Sequence, residues 1–194
     1  MRLVILGGSG AGKSTQAYRL SKHFEVPLVS TGEILRDAIA LSTTQEANSC
    51  LTELGRFAQP YLDAGELVPD ETIIEFIRKR LTNPDVFSGW VLEGYPRTAF
   101  QAEELDFLLD TLGQKLDWAI YLQVPQAVMV SRSVERSLPD DLPEIVQRRV
   151  EVFYDRTVPI LEYYDRRRRL LTINGDQLPE IVLQNIVSLV STPS

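Results

Sequence analysis

Short apolar runs alternate with longer segments of helical periodicity along this chain. The runs that predict buried strands cover residues 3–6, 27–30, 90–92, 118–122 and 170–173. The segments that predict helices cover residues 16–24, most of 31–65, 71–81, 99–112, 125–137, 143 to about 169, and 178–190. This alternation predicts an α/β fold of three layers, in which helices cover both faces of a five-stranded parallel sheet. A ligand crevice is expected beyond the carboxyl ends of the strands.

The first predicted strand leads directly into a glycine-rich loop, which a predicted helix follows. The loop has the sequence Gly7-Gly8-Ser9-Gly10-Ala11-Gly12-Lys13-Ser14-Thr15. Its spacing, G-x-x-x-x-G-K-S between a strand and a helix, is that of a phosphate-binding P-loop. Backbone N–H groups would hold the phosphates, Lys13 would reach the β- and γ-phosphates, and Ser14 offers a hydroxyl to Mg²⁺. A glycine-rich turn that holds no ligand is the alternative, but the combination of strand, lysine and helix favours a nucleoside triphosphate.

Two segments do not fit a minimal strand–helix–strand layout. Residues 30–68 are too long for a simple crossover, and their breakers Gly55, Pro60 and Gly65 predict a small helical insertion beside the P-loop. Residues 136–143 predict a short loop between two long helices. Both segments flank the predicted phosphate site and are candidates for parts that close over it and exclude water. We expect one domain, with a core of residues 1–29, 69–135 and 144–194, the insertion 30–68 and a short lid 136–143.

Four separate segments bring arginines toward the crevice end of the predicted sheet. They contribute Arg36, Arg97, the pair Arg132 and Arg136, and Arg149. The pair is one helical turn apart and shares a face that leads into the lid. Any one of these arginines alone is best interpreted as a solvated surface charge. As a set they indicate a site that positions and neutralises phosphates, which is what phosphoryl transfer requires of a protein.

The overall charge and the cysteine content restrict the partners of the chain. The formal net charge of −7 at pH 7 argues against a broad nucleic-acid surface. The single cysteine, Cys50, cannot form an internal disulfide, which fits a reducing compartment. No apolar run approaches the roughly 18 residues of a membrane span, and the first strand begins too early for a signal peptide. We therefore expect a soluble, cytoplasmic protein without nucleic-acid or membrane partners.

Five stretches, in order along nearly the whole chain, carry a family resemblance. They are residues 7–16, residues 30–36, residues 65–71, residues 93–98 with Gln101, and a last group of Arg132, Arg136, Asp140, Asp141 and Arg149 followed by residues 157–159 and 163–164. With these stretches the chain resembles the adenylate kinases of the short-lid type, within the nucleoside monophosphate kinase family. The resemblance implies transfer of the terminal phosphate of ATP to AMP, which gives two ADP, with Mg²⁺ as cofactor and a monomer as the working form.

The resemblance also implies a role for each matching residue. ATP would be bound by Gly10, Ala11, Gly12, Lys13, Ser14, Thr15, Arg132, Arg136 and the backbone of Gln177. AMP would be bound by Thr31, Arg36, Glu66, Leu67, Val68, Gly94, Tyr95, Pro96, Arg97, Gln101 and Arg149, with the amide of Gln101 against the base. The catalytic set would be Lys13, Arg97, Arg136 and Arg149. Ser14, and Glu93 through water, would serve the metal. Asp140 and Asp141 could suggest a metal pair, but their position in a loop before a helix favours N-caps and partners for the lid arginines.

Three positions depart from the family pattern. Ser14 stands where glycine is usual, Glu93 where aspartate is usual, and Leu138 where the lid usually has an arginine. The extra methylene of Glu93 shifts the carboxylate by about an ångström, and the loss of a lid arginine removes a contact to phosphate; both would reduce turnover. Arg148 is a candidate substitute for the lid arginine.

Two alternatives to an adenylate kinase remain open at this point. One is a kinase for UMP or CMP, against which Gln101 argues, because pyrimidine readers of this family usually place asparagine nearby. The other is a weakly catalytic regulator that binds adenine nucleotides, which the residues at positions 93 and 138 motivate. An assay with ATP, Mg²⁺ and each monophosphate in turn would separate the three.

Overall fold

Five parallel strands form the centre of the fold in a computed structural model that describes residues 1–42, 50–136 and 141–191. The strands are β1 (Arg2–Leu6), β2 (Leu28–Ser30), β3 (Trp90–Glu93), β4 (Trp118–Gln123) and β5 (Leu170–Asn174). Their order in the sheet is β2-β3-β1-β4-β5. Strand β1 is central, since Val4 pairs with Leu92 on one side and with Ala119 on the other. The predicted five-stranded parallel sheet is confirmed.

Helices cover both faces of this sheet. They are α1 (Lys13–Phe24), α2 (Thr31–Ser42), α3 (Cys50–Asp63), α4 (Asp70–Leu81), α5 (Ala99–Thr111), α6 (Gln126–Arg136), α7 (Pro143–Val152), α8 (Pro159–Arg166) and α9 (Pro179–Val190), with a short 3₁₀ turn at Pro84–Val86. Successive residues of β1 face opposite layers. Leu3 and Ile5 pack in one apolar core with Leu20 of α1, whereas Val4 packs in the other with Leu105 of α5. The three-layer prediction is therefore confirmed.

The helix predicted from residue 143 to about 169 is wrong as a single element. The structure divides it into α7, a π-helical turn at Phe153–Thr157, and α8. Pro159 is the physical reason, because it has no backbone N–H and its ring crowds the carbonyl four residues earlier. In this turn the N–H of Val158 donates to the carbonyl of Phe153, five residues earlier, at 3.0 Å, rather than to the carbonyl four residues earlier as in an α-helix. The wider turn brings Thr157 to the carboxyl edge of the sheet, where its hydroxyl donates to the carbonyl of Arg97.

Pro60 and Gly55 were expected to interrupt the second helical segment, and this expectation is wrong. Both lie inside α3. A Cβ atom at Gly55 would come within 2.1 Å of the carbonyl oxygen of Ala38, so glycine allows α2 and α3 to approach closely. The apolar face of α3 packs into the core at Ala58, which offsets the roughly 3 kcal/mol cost of an interior proline. Gly65 does end the segment, with φ of +70°.

The connections after three strands converge at one edge of the sheet. Strand β1 leads into the P-loop and α1, β2 leads directly into α2, and β3 leads through residues 94–98 into α5. The lid predicted at 136–143 is described only in part: Leu138 and Asp140 lie outside the described residues. Within the described ranges, no helix has the length and apolar character needed to cross a membrane.

Candidate functional site

A cleft of about 530 Å³ opens at the carboxyl edge of the sheet. Most of the site residues predicted from the sequence line it: Gly10, Gly12, Lys13, Ser14, Thr15, Thr31, Arg36, Glu66, Leu67, Val68, Glu93, Gly94, Pro96, Arg97, Gln101, Arg132, Arg136 and Arg149. Three predicted residues lie elsewhere. Ala11 and Gln177 line a second cavity, and Tyr95 is buried beneath the cleft with 2% of its surface exposed.

The P-loop is shaped by backbone conformations that suit glycine. Gly10 and Gly12 have φ of +79° and +89°. A Cβ atom at Gly10 would lie 2.0 Å from the carbonyl oxygen of Met129, so the loop also needs glycine there for close packing against α6. Helix α1 begins at Lys13 with no side-chain cap and no acidic residue in its first turn. Its first N–H groups and the positive end of its dipole therefore favour an anion in the loop.

Lys13 lies at the centre of the charged groups of the cleft. Its Nζ donates to the carbonyl of Gly8 at 2.8 Å. Burial lowers the pKa of Lys13 to about 8, with the carboxylate of Glu93 opposing the shift and nearby arginines adding to it. Those arginines are Arg97, Arg136 and Arg149. One lysine, one carboxylate and three arginines, contributed by four segments of the chain, thus lie close enough to influence one another.

Glu93 and Arg97 come from the end of β3 and the loop after it. The Glu93 carboxylate accepts from the hydroxyl of Ser30 at 2.7 Å, which fixes it at the end of β2. Burial lowers the pKa of Arg97, and Arg149 and Arg36 lower it further, while Glu93 raises it. The Nε of Arg97 donates to the carbonyl of Gly94 at 3.0 Å.

Arg136 and Arg149 share one buried carboxylate. The Nε and Nη2 of Arg136 donate to the two oxygens of Asp141 at 2.9 and 2.8 Å, and Nη1 of Arg149 lies 3.4 Å from Oδ1. The Asp141 side chain is fully buried. The predicted pairing of Asp141 with these arginines thus occurs in the structure. The predicted role of Asp141 as an N-cap is wrong, because α7 begins at Pro143 with Leu142 at the N-cap position. Arg148 turns the other way, with its Nε donating to Glu66 at 2.6 Å on the surface.

A second cavity of about 470 Å³ adjoins the first, and Arg132 lines both. Its far wall is the loop after β5, which contains Gln177. Arg132 donates to the carbonyl of Gly175 at 3.1 Å and to Asp176 at 2.8 Å. These bonds fix the guanidinium beside the loop. The two cavities adjoin along the P-loop, since Gly12 and Thr15 line both.

Asp70 lines neither cavity but holds a residue that does, and sequence analysis gave it no role. Gln101 lines the first cavity and not the second. Its Nε2 donates to Asp70 at 2.7 Å, and its Oε1 accepts from the backbone N–H of Arg97 at 2.7 Å. Asp70 begins α4 and Gln101 is in the first turn of α5, so nothing local in the sequence announces the pairing. Only the packing of α4 against α5 reveals it.

Known proteins match nearly the whole chain. The family model described as Adenylate kinase matches residues 5–169. Adenylate kinase 2 of Nostoc sp. is 77% identical over 97% of this chain and 98% of that protein. Adenylate kinase 2 of Synechocystis sp. is 52% identical over 96% and 100%, and the adenylate kinase of Stenotrophomonas maltophilia is 41% identical over 93% and 95%. The chain therefore belongs to the adenylate kinase family.

Proposed function

We propose that the protein transfers the terminal phosphate of ATP to AMP, giving two ADP. The observation that carries this proposal is a pair of adjoining, nucleotide-sized cavities that share the P-loop as a wall. Cationic side chains concentrate in the cleft beside the P-loop, where Lys13 interacts electrostatically with Arg97, Arg136 and Arg149. A site of this kind fits two nucleotides whose phosphates meet, and it matches the family to which the chain belongs.

The donor half takes ATP along the P-loop. The phosphates lie against the N–H groups at the start of α1, and Lys13 contacts the β- and γ-phosphates. Adenine lies in the second cavity, against the guanidinium of Arg132 and the backbone at Gln177. A planar guanidinium that is fixed by two hydrogen bonds is well suited to stack on a base.

The acceptor half takes AMP between the insertion, residues 30–68, and the loop after β3. Arg36 and Arg97 clamp the acceptor phosphate, and Thr31 and Gly94 lie beside it. The base lies toward Gln101 and the backbone of residues 66–68. A Cβ atom at Gly94 would come within 2.2 Å of the Thr31 hydroxyl, so glycine keeps these two walls close together.

The chemical step needs charge and alignment more than it needs a base. An oxygen of the acceptor phosphate is already a nucleophile and attacks the γ-phosphorus in line with the leaving ADP oxygen. Lys13, Arg136 and Arg149 stabilise the negative charge on the moving phosphoryl group. Closure of residues 30–68 and of the lid, residues 136–143, excludes water that would otherwise hydrolyse ATP.

The residues of the cleft fit a magnesium ion bound with the nucleotide. Mg²⁺ prefers oxygen ligands and usually takes one or two from the protein and the rest from phosphates and water. Ser14, at the start of α1, and Glu93, fixed by Ser30, are oxygen donors that line the same cleft. The ion would neutralise charge on the β- and γ-phosphates. We propose that Ser14 contacts it directly and that Glu93 acts through water.

Initial rates with ATP, Mg²⁺ and each of AMP, UMP, CMP and GMP test the proposal. We expect the highest kcat/KM with AMP. A clear preference for UMP or CMP would replace it with a pyrimidine nucleotide kinase, and tight binding of ATP and AMP without any ADP formed would favour a regulator. We also propose that the protein is a monomer, since one chain supplies both halves of the site, and gel filtration tests this. A cytoplasmic location is a further proposal, which cell fractionation tests.

Replacing Asp141 by asparagine should lower kcat/KM by about tenfold, because Arg136 and Arg149 lose the carboxylate that orients both of them. Steady-state kinetics and a thermal unfolding curve measure the effect. Asp85→Asn is the matched control, since Asp85 holds Arg80 by two similar hydrogen bonds outside the cleft. Equal losses of activity in the two variants would contradict a positioning role for Asp141.

Because burial lowers the pKa of Lys13 to about 8, ATP binding should weaken in alkaline solution. The free protein loses the ammonium charge as the pH rises through this value, whereas bound phosphates favour the charged form. We expect the KM for ATP to rise roughly tenfold between about pH 7 and about pH 9, with a smaller change in kcat. In Lys13→Arg the guanidinium stays charged and the rise should vanish. A KM that stays constant in the wild type would count against the assignment.

A further inference from the structure

The side chain of Gln101 is held by two partners of opposite hydrogen-bonding character. Its Oε1 accepts from the backbone N–H of Arg97, and its Nε2 donates to Oδ1 of Asp70, both at 2.7 Å. A backbone N–H can only donate, and a carboxylate can only accept. The amide therefore has one favourable orientation. A rotation of 180° would set donor against donor at Arg97 and acceptor against acceptor at Asp70.

Asp70 is itself held in place by the start of α5. Its Oδ2 accepts from the hydroxyl of Thr98 at 3.3 Å, and the oxygen of that hydroxyl caps the helix by accepting from the N–H of Gln101 at 3.2 Å. The hydroxyl of Tyr95 donates to the carbonyl of Gln101 at 3.0 Å. Gln101 is only 2% exposed. Water thus offers little compensation for an amide in the wrong orientation.

Each end of the oriented amide keeps one position for a ligand. Oε1 has a second lone pair and Nε2 has a second hydrogen, and Gln101 lines the cleft. Adenine presents an amino donor at C6 beside an acceptor at N1, which complements an acceptor and a donor in this order. A 6-oxopurine presents the reverse, an oxygen acceptor at C6 beside an N–H donor at N1. It could pair with Gln101 only after the unfavourable rotation of the amide.

We propose that Asp70 determines the base specificity of the acceptor site by holding the Gln101 amide in the orientation that accepts adenine and rejects a 6-oxopurine. The inference rests on the proposed function, in which Gln101 contacts the acceptor base. Asp70 acts through Gln101 and is a positioning residue. Two hydrogen bonds orient the Gln101 amide. A substitution can remove only the one to Asp70, because the other is made by the backbone N–H of Arg97.

The test compares AMP with inosine monophosphate as acceptors, with ATP as donor. The two nucleotides share ribose, phosphate and ring system and differ only at positions 1 and 6 of the base. In Asp70→Asn the new amide can donate or accept, so it no longer dictates the orientation of Gln101. We expect the ratio of kcat/KM for AMP to that for inosine monophosphate to fall by at least roughly tenfold. An equal loss with both nucleotides would show a purely structural role and overturn the proposal.

Glu71→Gln is the matched control. Glu71 is an exposed acid in the same first turn of α4, so the substitution makes the same change in charge without removing a partner of Gln101. Its ratio should stay within about twofold of the wild-type value. Asp70→Ser serves as a second variant, since a hydroxyl also donates and accepts. If neither Asp70 variant folds, Asp70 is a structural residue and the proposal fails.

The wild-type rates separate this inference from the proposed function. If the wild-type protein does not phosphorylate AMP, the proposed function itself is wrong. If the wild-type protein phosphorylates AMP and strongly disfavours inosine monophosphate, but Asp70→Asn keeps the same ratio, the proposed function stands and only the role of Asp70 is refuted.

Discussion

Lys13→Met should lower kcat by at least about 10³-fold while leaving the protein folded. The lysine belongs to the P-loop and lines the cleft in which, by the proposed function, charge develops on the transferred phosphoryl group. Burial already makes its charge unfavourable in the free protein, as the lowered pKa of about 8 shows, and three arginines add to this. Methionine has a similar length and no charge. The unfolding temperature should therefore stay the same or rise even as activity is lost.

Steady-state rates with ATP and AMP measure the loss of kcat, and a thermal unfolding curve measures the unfolding temperature. Lys22→Met is the control, because Lys22 is an exposed lysine near the other end of the same helix. Wild-type turnover in Lys13→Met would contradict the P-loop assignment. A large loss of stability would instead show that the hydrogen bond from Lys13 to Gly8 holds the loop together.

The sheet and most helices were predictable because their signals are local. A parallel strand that is buried on both faces needs a short continuous apolar run, and each of the five predicted runs became a strand. The P-loop was predictable for the same reason, since strand, glycines, lysine and helix are adjacent in the chain. The arginines could be assigned to the cleft once the strand order placed their segments at one edge.

The failures of prediction are places where packing overrides a local signal. Pro60 and Gly55 are breakers by propensity, yet α3 continues through both because its apolar face is buried and Gly55 allows close contact with α2. Conversely, no periodicity announces the π-helical turn before Pro159. The pairing of Asp70 with Gln101 joins two helices that are separated by a strand, so only the folded structure brings it out.

Arg97→Lys should lower kcat/KM for AMP by roughly 10²-fold, mainly through a higher KM for AMP, while the KM for ATP changes little. The Nε of Arg97 is used by the carbonyl of Gly94. Its two terminal nitrogens make no hydrogen bond within the described part of the chain. We therefore expect this planar pair of donors, the fork, to bind two oxygens of the acceptor phosphate. Lysine keeps the charge and loses the fork.

Arg80→Lys is the control. It measures the general effect of replacing an arginine by a lysine outside the phosphate site. Arg80 also forms a two-pronged bond, to Asp85, but on the surface away from the cleft. Its replacement should leave both KM values unchanged, because an exposed ion pair contributes little. If Arg97→Lys raised the KM for ATP instead of that for AMP, Arg97 would contact the donor, and the two halves of the cleft would have to be exchanged. The direction of this single change therefore tests which nucleotide occupies which half.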